Sequence, residues 1–339
     1  GRKPMSSCGA AILIVGGSII IDRASHAPVI CSMAWSPWVV LMFLRAQRKA
    51  ALSDTILLGL VLAGSLLAGQ PQPLIYVIPA CLILAPTYAP KDADWTWRRP
   101  ILVLAKGSVV ALLLAAVQVV PTLERGLYSE RATGVSEITQ WGCTLSEVPV
   151  YFLGDMDIIQ RVDKAAFPGT LGLLAALYCG IWLRDRKTGA WLTVFGLGLV
   201  LAWVQGNPLY ELLRYVPVFN DFRAHSRAGM LTAIAGAILF ARMLDEGRDL
   251  RWSRLALVAA GLLVGLELLA LGVVGRPGLG PLRSHDPMSW QLPALIAVLT
   301  VAVMGAMRQD WWRGLLIALL AIGGKSVRHS RRQLVDPIA

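Results

Sequence analysis

Apolar runs of roughly helical-span length follow one another along almost the whole chain, separated by short connections rich in arginine and lysine. A chain of 339 residues that is 56% hydrophobic and 16% charged, with a mean hydropathy of +0.60, cannot hide that much apolar surface in a water-soluble core. Lipid is the solvent this pattern asks for. Crossing about 30 Å of hydrocarbon takes roughly 20 apolar residues, fewer where flanking side chains snorkel. Eleven candidate spans are expected, at 5–21, 27–44, 55–69, 73–89, 101–119, 168–184, 189–204, 228–244, 254–274, 290–307 and 311–324. The fold class is therefore an all-α polytopic transmembrane bundle occupying residues 1–324, with a basic tail at 325–339. The runs 55–69 and 73–89 are separated only by "QPQ", which reads as a tight turn or as one broken helix.

Lysine and arginine sort the connections into two sets. One set carries Arg45, Arg48 and Lys49, then Lys91, Arg98 and Arg99, then Arg184, Arg186 and Lys187, then Arg242, Arg248, Arg251 and Arg254. That set is expected in the bacterial cytoplasm, with the poorer set outside the inner membrane. Against the rule, the tail with Lys325, Arg328, Arg331 and Arg332 then falls outside. The net charge of +11 lies in these short clusters, without a basic stripe or aromatic stacking module, so lipid headgroups and not nucleic acid are the expected partners. Gly1 in place of Met points to a native start upstream.

The outer set contains the chemistry-bearing residues. The extracytoplasmic loop 122–167 carries seven acidic residues against four basic ones. Just before it "VVP" is expected to end a span and to place Glu124 just outside the membrane, as a general base if a substrate hydroxyl comes within reach or as a partner of Arg125 or Arg131. Asp155 and Asp157 supply two oxygen ligands to a divalent ion, far from a full coordination shell. No cofactor is indicated, and four scattered histidines give no zinc spacing. Within the span 254–274, Glu267 is deep enough to need a hydrogen-bond partner or a proton.

The interfacial segment 205–227 opens with a turn at "GNP" and a short amphipathic stretch, "LYELLRYV", then concentrates Asn220, Asp221, Arg223, His225, Ser226 and Arg227. If the next helix begins near Arg223, the guanidiniums of Arg223 and Arg227 lie four residues apart on one face and grip a phosphate, with Asn220 beside them. The competing reading anchors both arginines to headgroup phosphates, with Asp221 as a cap. His225 is an acid or base by chemistry and a hydrogen-bonding bystander by frequency.

The phrases "MAWSPWVVLMFLRA", "LAGQPQ", "PTLERGLYSER", "FPGTLGLLAALYCGIWLRDR" and "GNPLYELLRYVPVFNDFRAHSRAGMLTAIAGAILFARMLD" resemble, in that order, the YfhO-like bacterial membrane proteins, relatives of the GT-C-type glycosyltransferases. The most specific part is the run of Pro217, Phe219, Asn220, Phe222, Arg223 and Arg227. The resemblance implies an enzyme that takes a sugar from a polyprenyl-phosphate carrier and transfers it, outside the membrane, to a cell-envelope polymer or lipid. It also implies that arginines hold the carrier phosphate, a role matched by Arg223 and Arg227. An acidic base in the first outer loop, usual in such enzymes, has no clear counterpart, and the outer C-terminal region that the family often carries is not matched, so both ends of the chain read as truncated. A lipid or lipid-linked-saccharide transporter and a non-catalytic scaffold subunit are the alternatives.

Overall fold

The computed structural model describes residues 4–15, 27–49, 51–90, 96–128, 143–144, 169–205, 207–213, 215–216, 219, 222 and 225–245. Each of the first eight expected spans holds a helix: α1 (Pro4–Val15), α2 with α3 (Ala27–Ala34 and Ser36–Lys49), α4 (Leu52–Leu67), α5 (Gln72–Leu84), α6 (Arg98–Leu127), α7 (Gly169–Trp182), α8 (Arg186–Ala202) and, after the short α9 (Pro208–Leu213), α10 (Gly229–Asp245). A parallel pair of two short strands, β1 (Cys143–Thr144) and β2 (Trp203–Gln205), is the extended pairing among the described residues. The expected spans at 254–274, 290–307 and 311–324 lie outside the described residues.

Three helical stretches, Ala27–Lys49, Arg98–Arg125 and His225–Asp245, are long and apolar enough to cross a membrane, which is the signature of a helical membrane protein. The others are shorter. α4, with 16 residues, is about 24 Å long at 1.5 Å per residue.

Local chemistry explains the breaks. Between α4 and α5 the "QPQ" segment is a tight turn between two separate helices. Gly69 takes a φ of 92° there, in the left-handed region open to glycine, and Ala68 N–H bonds back to Gly64 O at 3.1 Å. Pro73 then sits in the first turn of α5, where a missing N–H costs nothing. Asp185 caps α8 by accepting from the backbone N–H of Lys187 at 2.8 Å and of Thr188 at 3.1 Å.

α6 corrects one expectation. "VVP" does not end it: the helix runs through Pro121 to Leu127. A proline removes one helical N–H, and Thr122 Oγ1 donates to Gln118 O at 2.7 Å within the same turn.

Packing distinguishes a central helix from a peripheral one. α10 lies between α8, α7 and α1, and the most apolar 18 residues of the stretch His225–Asp245 that contains it are 83% buried, against 33% for those of α6. α6 instead packs along α4. A Cβ on Gly59 of α4 would stand 2.5 Å from Val110 Cβ and 3.0 Å from Gly107 O, so these two backbones approach as closely as glycine allows. Its outer side leaves Leu113 at 74% and Val117 at 79% exposed, an apolar surface that hydrocarbon accepts and water penalises.

The helix ends gather into two groups. At one end Ser6 of α1 hydrogen-bonds Asp245 of α10, Gln47 of α3 donates to Ala85 O at 2.6 Å, Trp191 of α8 donates to Tyr88 at 2.8 Å and Arg242 pairs with Asp185. Asp54, buried, faces Arg45 Nε at 2.8 Å there too. The opposite end joins Ser32, Ser65 and Gln70 and carries Gln72, Asn207, His225 and Arg227. This division reproduces, for the described connections, the two sets separated by their lysine and arginine content.

Candidate functional site

The polar connection before α10 folds back onto α5. A 3-10 turn, His225–Ala228, leads into α10, and His225 is fully buried. Three aromatic side chains enclose its ring. Phe219 stacks on it at 4.2 Å between centroids and 4° between planes; Tyr210 lies at 5.3 Å and Tyr76 at 6.1 Å. Tyr210 is itself fixed, its hydroxyl donating to Leu201 O. Asn207 holds the end of α8 through Val200 O at 2.8 Å and Trp203 O at 2.7 Å, and its Oδ1 accepts from Leu209 N–H at 3.0 Å to start α9. The "GNP" turn is therefore a double cap.

Four side chains from two helices form a directed hydrogen-bond relay. Arg227 Nη1 donates to Gln72 Oε1 at 2.9 Å. Gln72 Nε2 donates to the Tyr76 hydroxyl at 2.8 Å, and the Tyr76 hydroxyl lies 2.9 Å from His225 Nδ1. Arginine is only ever a donor, so it fixes which way the Gln72 amide points. That amide therefore turns its Nε2 toward the tyrosine oxygen, which ties the guanidinium to Tyr76 through Gln72. Which of the Tyr76 oxygen and Nδ1 donates in this last link follows from the histidine tautomer. The backbone carbonyls of Phe219 and Phe222 approach the ring without hydrogen-bond geometry at the buried Nε2.

Of the residues singled out in the sequence, the structure brings His225 and Arg227 into one network. Glu124 stands apart from it, exposed near the end of α6. Asn220, Asp221, Arg223, Asp155, Asp157 and Glu267 lie outside the described residues. The helical turn begins at His225, two residues later than the register that set Arg223 and Arg227 on one helical face. Lys106, a charge within the apolar run of α6, is exposed on the early part of that helix. Among the described residues, no three histidine, cysteine, aspartate or glutamate side chains gather as a metal site.

Gln72 and Tyr76 are the functional candidates that the sequence reading passed over. An uncharged amide and a phenol in an apolar run carry no charge signal, yet burying them without partners is costly, and that cost is the clue that would have found them.

Fold and site together define a helical membrane protein with an Arg–Gln–Tyr–His relay near one end of its bundle, buried at its Gln, Tyr and His and half-buried at its Arg. Compared with protein-family models, with curated proteins and with solved structures, the chain matches none.

Proposed function

We propose that the chain is the membrane bundle of a GT-C-type, lipid-linked-sugar glycosyltransferase of the bacterial inner membrane, and that Arg227 binds the phosphate of a polyprenyl-phosphate carrier on the outer face. The observation that carries this reading is the hydrogen bond that Arg227 Nη1 donates to Gln72 Oε1. Arg227 is half-buried at the end of the bundle that holds the lysine-poor connections, and Gln72, itself locked by Tyr76, fixes one arm of its guanidinium. A pre-oriented guanidinium stabilises the phosphate charge that grows as the glycosyl bond breaks. Asn220 and Arg223, close in sequence, are proposed to complete the phosphate contact. The acceptor is a cell-envelope polymer or lipid.

A second reading is favoured by one observation: each relay member already has a protein partner, as a clasp between α5 and α10 in a non-catalytic scaffold subunit would require. Transfer of radiolabelled sugar from a polyprenyl-phosphate donor separates the two. In the whole protein, Arg227→Ala is expected to lower transfer about tenfold or more, the scale of one charge-assisted hydrogen bond, with membrane insertion unchanged. Arg227→Lys is expected to recover part of it. Absence of transfer by the unsubstituted protein, or parallel loss of transfer and insertion in Arg227→Ala, assigns the relay to the clasp.

A further inference from the structure

The end of the bundle opposite the relay collects cations that the proposed function does not use. Arg48 and Lys49 close α3, and Arg98 and Arg99 open α6. Arg99 Nη2 donates to Arg48 O at 3.1 Å, so two basic pairs distant in sequence form one patch. Arg48, Lys49 and Arg98 are exposed and Arg99 is half-buried. Arg45, on the same helix, is neutralised by Asp54 at 2.8 Å; none of the other four takes part in an ion pair among the described residues. Asp92 and Asp94 precede the second pair in sequence, outside the described residues. Four like charges on one seam repel each other, and the repulsion grows where the neighbouring medium is hydrocarbon instead of water.

The border of the patch identifies the anion that relieves this repulsion. Leu52 and Ile56 of α4 and Ile101 and Leu102 of α6 are exposed immediately beyond it, with Trp97 exposed at the start of α6. A soluble phosphate or an acidic protein segment has no use for that apolar border. A phospholipid uses both parts, its phosphodiester on the guanidiniums and its acyl chains along α4 and α6. Arg99 is oriented in advance by a carbonyl from the last turn of α3; its Nε is buried without a hydrogen-bond partner, and Nη1 is left for a second acceptor. We infer that the seam between the C-terminus of α3 and the N-terminus of α6 is a binding site for an anionic phospholipid headgroup of the phosphatidylglycerol class. The inference rests on the membrane-protein assignment and is independent of the sugar chemistry at Arg227.

The test reconstitutes the full chain into phosphatidylcholine vesicles containing a trace of photoactivatable phosphatidylglycerol, with photoactivatable phosphatidylcholine as the parallel probe, and maps labelled peptides by mass spectrometry. The phosphatidylglycerol label is expected to concentrate on residues 45–56 and 96–102. The combined Arg48→Gln, Lys49→Gln and Arg98→Gln variant, all at exposed positions, is expected to lower that label about tenfold or more. Arg125→Gln, an exposed cation in the last turn of α6, is expected to leave it unchanged, and inorganic phosphate is expected not to displace it. Even labelling by both lipids, labelling insensitive to the triple substitution, or displacement by inorganic phosphate overturns the site. Absence of label from both lipids overturns the membrane placement as well.

Discussion

Tyr76 and His225, 149 residues apart in sequence, meet through a 2.9 Å contact between the phenolic oxygen and Nδ1, with both side chains fully buried. The contact joins α5 to the start of α10 and is the middle link of the relay that reaches Arg227.

Tyr76→Phe keeps the ring and removes the link. His225 Nδ1 then loses its hydroxyl partner and Gln72 Nε2 the hydroxyl it donates to. A buried polar group deprived of its partner costs about 1–3 kcal/mol, and thermal unfolding in detergent is expected to show a loss of that size. His225→Phe alone is expected to be similarly harmful, whereas the double substitution replaces both partners with apolar rings, one stacked on Phe219 and the other edge-on to it. The double-mutant cycle is thus expected to show a favourable coupling between the two residues in the wild type. Strict additivity would remove the relay from the account of the fold.

Gly59 makes a separate prediction about the α4–α6 contact. A methyl group there meets Val110 Cβ and Cγ1 at 2.5 Å and the backbone oxygen of Gly107 at 3.0 Å, and neither neighbour is a flexible chain end. Gly59→Ala is therefore expected to push the helices apart and to cost about 1–3 kcal/mol, the usual scale of overpacking. Gly196 on α8 is the control, since a Cβ there meets nothing within 4 Å. Gly196→Ala is expected to be neutral or to gain up to about 1 kcal/mol of helix propensity. Thermal unfolding of the two variants side by side checks the pair, and equal behaviour would deny the close approach.

These two sites mark the boundary of what could be read from the sequence. The apolar runs announce the helices because hydropathy is a local property: each of the first eight expected spans contains one. The sorting of connections into two ends was legible for the same reason, since charge density is local too. Pro121 misled because its penalty is one missing hydrogen bond, which a long apolar helix absorbs. The relay was half visible. His225 and Arg227 announce themselves by charge in a polar connection, whereas Gln72 and Tyr76 acquire meaning only from a partner more than a hundred residues away, which periodicity does not encode. The close approach at Gly59 was equally invisible, because a glycine in an apolar run is marked only by what the fold lays against it.

Asp185, at the end of the bundle away from the relay, makes stability depend on pH. Burial by itself would raise its carboxyl pKa, but hydrogen bonds from the Thr188 side chain and backbone, together with the Arg242 guanidinium, outweigh burial and hold it below its ordinary value. A carboxyl whose pKa is lower in the folded than in the unfolded chain contributes stability that is complete above the unfolded value, about 3.9. That contribution fades as pH falls from there through the folded value. Its size is modest, because the side chain is 46% exposed and solvent screens the pair. Asp185→Asn keeps a cap for α8 but cannot ionise, so it is expected to be less stable than wild type at neutral pH, with the gap narrowing as pH falls below about 4. Thermal unfolding of the two proteins in detergent across the acid range reads this directly: a gap constant with pH would mean that the carboxylate's charge contributes nothing to the α8–α10 contact.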